Sequence, residues 1–214
     1  MVKSFWKVSG KVSGKIAVKA GLEIERVWLL RGLPKLPEGH AIWQLDQGYL
    51  VCDDGSPKGR IRRTVLPDAS EQFHLNHKTG TGLVRQESET QITAVSFNQQ
   101  WPATIGRRVC KKRHRIPAED LVWEIDEFAD FSLVLAEVEL PTTDHHFEIP
   151  KWLAPWILQE VTLDPQYRNT IWPYRARHLF QVFHQRRRAV SIKLWQLFYD
   201  NISLQNRDSI RSCS

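Results

Sequence analysis

Cysteine is scarce in this chain of 214 residues. Cys52, Cys110 and Cys213 form no Cys-x-x-Cys pair and no even set, which excludes a disulfide framework and leaves free thiols in a reducing, cytoplasmic setting as the simplest expectation. Long apolar runs are missing too. None approaches the roughly 18 residues that a membrane-spanning helix needs. The first residues have neither a compact apolar core nor a small-residue cleavage site, so a secretory signal is not expected. No repeat of solenoid length occurs. Lys78-Thr-Gly-Thr-Gly82 lacks the spacing and the following helix of a Walker loop. His145-His146 has no third ligand nearby in the sequence, so a metal site there is not expected.

Acids are absent from the first 22 residues, which carry five lysines. Residues 170–214 hold eight Lys or Arg against two acids, whereas residues 23–169 hold 17 bases and 22 acids. The formal charge of +6 therefore belongs to the two ends, and the body is acidic. A specific nucleic-acid partner is not expected from such a distribution. With 42% hydrophobic residues the chain is long enough for one good core. Three parts are expected: a basic, flexible lead-in over 1–21, a domain over 22–169, and a basic C-terminal extension over 170–214. In the last part Phe180, Phe183, Val190, Leu194, Leu197 and Phe198 recur at helical spacing beside Arg186 to Arg188. A helix packed on the domain is expected, with weak membrane or acidic-partner contact as its alternative. A homodimer is compatible with the sequence.

What the body does contain is charge spaced two apart in strand-like runs: Glu23-x-Glu25, Arg60-x-Arg62, Arg85-x-Glu87-x-Glu89, Lys111-x-Arg113-x-Arg115 and Glu137-x-Glu139. In a strand, residues i and i+2 share a face. Strands are read over Leu22–Leu30, Ala41–Cys52, Arg60–Val65, Gln72–Lys78, Leu83–Thr93, Phe97–Ala103, Arg107–Ile116, Val122–Phe128 and Leu133–Leu140. Short helices are read over Asp144–Phe147 and Lys151–Leu158. So many strands with close turn signals predict a mainly β domain with some helix, a barrel or sandwich. Charges of both signs on matched faces suit a sheet closed around a wet, charged interior. Seven of the tryptophans (Trp28, Trp43, Trp101, Trp123, Trp152, Trp156 and Trp195) read as packing residues.

Glu23, Glu25, Glu137 and Glu139 make two same-face pairs of carboxylates, and Asp126 adds another. Such groups repel at close range by roughly 1 to 4 kcal/mol per pair, and a divalent cation reverses the sign. An oxygen-only ligand set points to Mg²⁺ or Mn²⁺ rather than zinc. Arg60, Arg62, Lys78, Arg85, Lys111 and Arg113 spread cations along the strands, as a linear chain of phosphates requires. Exposed Glu–Arg pairs across a sheet would be the plainer reading and contribute little. Two Glu-x-Glu pairs flanked by several basic pairs favour a site.

Taken in order, these segments resemble the CYTH domain, also called the triphosphate tunnel metalloenzymes. The resemblance rests on Glu23-Ile-Glu25-Arg26, Gln47-Gly-Tyr-Leu50, Arg60-Ile-Arg62, Lys78-Thr-Gly-Thr-Gly82, Arg85-Gln-Glu-Ser-Glu89, Trp101 to Arg108 with Lys111-Lys-Arg113, Glu124-Ile-Asp126, Glu137-Val-Glu139, and Glu160 to Asp164 followed by Tyr167 and Asn169. It covers roughly 23–169. It implies a closed eight-stranded antiparallel β-barrel whose tunnel binds a triphosphate. Metal ligands would be Glu23, Glu25, Glu137 and Glu139, with Asp126 supporting a second ion. Arg60, Arg62, Lys78, Arg85, Lys111 and Arg113 match the phosphate-binding positions. Glu87 and Glu89 match inward acids that serve as ligands or balance charge. Glu25, Glu139 and Lys111 are the expected catalytic residues, and among bacterial members the pattern is nearest to inorganic triphosphatases.

One position departs. The opening signature of that family is Glu-x-Glu-x-Lys, and its lysine is Val27 here. Arg26 is adjacent but projects from the other face of a regular strand; only a one-residue bulge would turn it inward. Two further readings therefore stay open: a polyphosphate- or nucleotide-binding protein with little turnover, and an adenylyl cyclase, for which no adenine-recognition element is identifiable.

Overall fold

The computed structural model describes residues 18–80, 82–129, 132–164 and 167. Its strands are β1 (Val18–Leu30), β2 (Ala41–Val51), β3 (Pro57–Val65), β4 (Glu71–Thr79), β5 (Val84–Gln91), β6 (Arg108–Ala118), β7 (Leu121–Phe128), β8 (Val134–Glu139) and β9 (Ile157–Glu160). They form one antiparallel sheet in the order β5-β4-β3-β2-β6-β7-β8-β1-β9, and β1 also pairs with β5. Closure depends on the length of β1. Its first half, Val18 to Ile24, pairs with β5, and its second half, Glu25 to Leu30, pairs with β8. An eight-stranded barrel results, with β9 added outside the closed ring beside Trp28 to Leu30. The expected C-terminal helix and most of the lead-in lie outside the described residues.

Alternation of side chains sorts the strands into an inner and an outer face. Two apolar clusters cover the outside. Trp28, Leu30, Ile116, Trp123, Ile125, Val134, Ala136 and Val138 pack beneath Leu153 and Phe147. There the Trp28 and Trp123 rings lie 5.1 Å apart, with Phe147 edge-on to both. On the opposite flank, Leu50, Ile61, Phe73 and Leu75 are covered by Phe97 and Trp101. A third cluster, Tyr49, Val109, Phe128, Leu133, Leu135 and Val161, joined by Val27 and Leu29, fills one end of the interior.

Three local expectations need correction. Phe97–Ala103 is not a strand: α1 (Ala94–Gln100) runs into a 3₁₀ turn, Trp101–Thr104. The Thr93 side chain accepts from the Ser96 N–H and caps the helix start. Phe97 and Trp101, four apart, stack at 5.0 Å on one helical face. Residues 144–147 form turn and irregular chain, not a helix. Residues 151–158 form turns and a 3₁₀ segment, Ala154–Trp156, before β9 begins at Ile157; Pro155 limits the helical part.

The 3₁₀ turn seats Thr104, fully buried, against β2 at Gly48, where a Cβ would lie 2.6 Å from Thr104 Oγ1. Strand β1 begins at Val18, four residues before the expected start. Cys52 is free and exposed, as expected; Cys213 lies outside the described residues. Among the described residues no helix is long and apolar enough to cross a membrane.

Candidate functional site

The barrel encloses a cavity of about 950 Å³. Glu23, Glu25, Glu87, Glu89, Glu137 and Glu139 line it together with Arg60, Arg62, Lys78, Arg85 and Arg113. Alternation explains why they converge: on β1, β3, β5, β6 and β8 the two-spaced charges all lie on the inner face. Lys111 and Asp126, also placed in the site by their spacing, do not line the cavity. Their side chains are fully enclosed and paired to each other, and the Lys111 ammonium lies 5.3 Å from the centre of the Phe128 ring.

Each half of the wall neutralises itself. Lys78 Nζ donates to both carboxylate oxygens of Glu23 at 2.6 and 2.7 Å and lies 3.5 Å from Glu87. Arg85 pairs with Glu25 and lies 3.1 Å from Glu23. Arg62 donates to Glu89 at 2.7 Å, and Asn76 donates to Glu87 and Glu89 at 3.1 and 2.6 Å. Arg113 is the most heavily engaged cation. Its Nε and Nη2 grip the two Asp126 oxygens at 2.7 Å each, Nη2 also reaches Glu137 at 2.5 Å, and Nη1 pairs with Glu124.

Among the described residues Arg60 has no carboxylate partner, and the Nε atoms of Arg60, Arg62 and Arg85 are enclosed without hydrogen-bond partners. A cavity with unpaired cationic donors is built to receive an anion.

The electrostatics follow from burial. Enclosure opposes the charge of Asp126, yet Arg113 and Lys111 hold its carboxyl well below the usual range, so it stays ionised. Burial, and then the Arg113 charge, push Lys111 below its ordinary value. Glu137 is pushed up to about 7, first by burial and then by the Asp126 charge, with Glu25 adding to the repulsion. Burial and the neighbouring Arg60 depress Arg62, which Glu89 partly offsets. Burial lifts the Tyr49 phenol to about 12.

Glu25 and Glu139 face one another in register between β1 and β8, and Glu137 stands opposite Val27. These strands thus gather Glu23, Glu25, Glu137 and Glu139 as oxygen donors, although among the described residues no three acids, His or Cys are assembled as a ready metal group. In this state Glu23, Glu25 and Glu137 are turned toward Lys78, Arg85 and Arg113.

Val27 lies in the cavity wall. Arg26 does not replace the missing lysine: it points outward and pairs with Glu160 at 2.5 Å, over the Trp28 and Phe147 rings. No bulge occurs at this point of β1.

Several lining residues lie outside the set of site residues expected from the sequence. Glu124 and Arg115 line the wall and pair at 2.9 Å. Trp43, read as packing, lines the cavity beneath the Arg115 guanidinium at 4.2 Å. Gln47, Tyr49 and Asn76 also face it. The available signal was parity: Trp43, Gln47 and Tyr49 share one face of β2, and Asn76 precedes Lys78 by two.

No protein-family profile matches the chain. Over 152 residues it is 39% identical to an inorganic triphosphatase of Nitrosomonas europaea, a match spanning 69% of this chain and 93% of that protein. Over 157 residues it is 32% identical to an inorganic triphosphatase of Acetivibrio thermocellus, spanning 70% and 92% of the two chains. A crystal structure of an inorganic triphosphatase, 30% identical, covers 71% of this chain and 93% of its own, with a TM-score of 0.47.

Proposed function

Because the chain belongs to the inorganic triphosphatase family, we propose that it hydrolyses inorganic tripolyphosphate inside its barrel, in the manner of a CYTH or triphosphate tunnel enzyme, with Mg²⁺ or Mn²⁺ as cofactor. The observation that carries this reading is the single cavity shared by Arg60, Arg62, Lys78, Arg85 and Arg113 with four glutamates of β1 and β8. A condensed phosphate offers oxygens along its length, and guanidinium forks hold two at a time. Arg60, with no carboxylate partner among the described residues, has no acid to release and meets the phosphate chain first. As Arg62, Lys78 and Arg85 turn to phosphate oxygens, they release Glu89, Glu23 and Glu25. Arg113, anchored by Asp126 with Lys111 behind it, keeps its direction and stabilises the charge that builds on the transferred phosphoryl group.

Glu23, Glu25, Glu137 and Glu139 would hold the divalent ion. Their oxygen-only chemistry and the mutual repulsion felt by Glu137 fit such a group. When bound, it supplies neutralisation of the phosphate chain and polarisation of water and the terminal phosphate. The wall holds the chain so that water attacks the terminal phosphorus in line with the leaving oxygen.

Replacing Glu137 and Glu139 together by Gln tests the assignment through metal-dependent phosphate release; retention of full activity overturns it. A second reading, a tripolyphosphate binder with little turnover, is favoured by Val27 and by the outward course of Arg26. Calorimetry beside a phosphate-release assay separates the two, since tight binding without release selects the binder.

A further inference from the structure

Unsatisfied atoms concentrate on one stretch of the wall, where β2, β3 and β4 lie side by side. Gln47 Oε1 and Asn76 Oδ1 are enclosed acceptors without partners, and Arg60 Nε and Arg62 Nε are enclosed donors without partners. Gln47 is 1% exposed and Asn76 2%. The register matches them: Gln47 stands directly opposite Arg62, and Asn76 directly opposite Arg60. Directly opposed side chains start about 5 Å apart at Cβ, within reach of one another. Orphaned polar atoms inside a fold are costly. Here each orphaned acceptor faces an orphaned donor, yet neither pair is made. For Arg62 the reason is that its Nη2 is drawn to Glu89 at 2.7 Å.

We infer that Gln47 is a positioning residue with two-state use: when a phosphate group draws the Arg62 guanidinium off Glu89, Arg62 Nε donates to Gln47 Oε1, which fixes the fork on the phosphate. Asn76 does the same for Arg60 Nε; its own Nδ2 is already committed to Glu87 and Glu89, so its oxygen faces the other way. A neutral acceptor suits the task. A carboxylate at position 47 would hold Arg62 permanently and repel the incoming anion, whereas an amide oxygen pairs only with an arginine that is free. Strand β2 is accordingly the strand whose inner residues Trp43, Gln47 and Tyr49 carry no charge, set between the cations of β3 and β6. This inference rests on the proposed function only for the nature of the anion.

The test is a double-mutant cycle read by calorimetry with inorganic tripolyphosphate in chelator-containing buffer, so that binding is measured without turnover. Gln47→Met removes the acceptor at similar volume, and Arg62→Lys keeps the charge but removes the Nε–H. Each single variant is expected to weaken binding about tenfold or more, and the double variant is expected to bind no worse than Arg62→Lys alone. With metal present, Gln47→Met should raise KM with little change in kcat. Additive losses in the cycle, or a Gln47→Met variant that binds like wild type, overturn the inference. If Gln47→Met does not fold, NMR of the wild type decides: exchange of the Arg62 Nε–H must slow on adding tripolyphosphate, and unchanged exchange refutes the pairing. Absence of phosphate release by the wild type under metal would count against the proposed function alone.

Discussion

Replacing Glu137 by Gln is expected to stabilise the metal-free protein at pH 8 while removing the metal-dependent turnover proposed for it. Glu137 is 6% exposed. Burial and the charges of Asp126 and Glu25 raise its carboxyl from 4.5 to about 7, against the pull of Lys111 and Arg113. A carboxyl whose value is higher in the native state binds its proton more tightly there. Its contribution to stability is therefore fully favourable below about pH 4.5 and is lost as pH climbs through about 7. At ~1.4 kcal/mol per pH unit, that interval corresponds to an upper bound of roughly 3.5 kcal/mol. Glutamine has no proton to lose and keeps an oxygen for Arg113 Nη2. For a domain of this size that bound corresponds to a gain of at most roughly 7–14 °C in Tm. Thermal melts with chelator at pH 4.5, 6 and 8 should show the variant and wild type converging at low pH and separating as pH rises. A variant less stable than wild type at pH 8, or a difference independent of pH, refutes the reasoning. Saturating Mg²⁺ should narrow the gap by stabilising the wild type selectively.

Asp126→Asn leaves the Lys111 ammonium enclosed and removes a fork from Arg113; unfolding in urea should show a loss of about 3–5 kcal/mol, and a loss under 1 kcal/mol would contradict the enclosed pairing. Val27→Lys places an ammonium opposite Glu137; kcat for tripolyphosphate should rise at least tenfold, within the ~10²–10³ such a group supplies, and an unchanged kcat would show that turnover is not limited by the missing lysine. Gly48→Ala forces a Cβ to within 2.6 Å of Thr104 Oγ1, so urea unfolding should show about 1–3 kcal/mol of destabilisation, recovered in part by Thr104→Gly.

Why the charged interior could be read from the chain, and the rest less well, comes down to which features are periodic. Glu23/Glu25, Arg60/Arg62, Glu87/Glu89 and Glu137/Glu139 obey a period of two that any strand converts into one face, and the barrel turns those faces toward one cavity. Depth along a strand has no such period. Lys111 and Arg113 share parity, about 7 Å apart along β6. Nothing in their spacing shows that the first is enclosed against Phe128 while the second reaches the cavity. Neutral inner residues carry no charge to mark them, so the sequence does not show Gln47 and Asn76 as partners of Arg62 and Arg60. Over 97–103 the four-residue spacing of Phe97 and Trp101 occurs only once, too little to establish a helical period. The apolar residues Ile157 and Leu158 were absorbed into an expected helix, although Pro155 stops one there.

Self-neutralisation of the wall has a consequence for binding. A phosphate oxygen that engages Arg62, Lys78 or Arg85 must separate that cation from Glu89, Glu23 or Glu25, so the gain is a difference between two charge-assisted contacts rather than a new one. The released carboxylates would then repel one another and the phosphate. Under the proposed function a divalent ion would offset that penalty, because it would take Glu23 and Glu25, two of the acids that the anion sets free. Each ligand therefore raises the affinity of the other, by the same factor in both directions. Titrating tripolyphosphate into Glu25→Gln/Glu137→Gln/Glu139→Gln, which has fewer acids to release, should give tighter binding than wild type without metal and little further gain from Mg²⁺. Equal gains from Mg²⁺ in both proteins would show that the ion is carried by the phosphate chain alone and that these glutamates do not hold it.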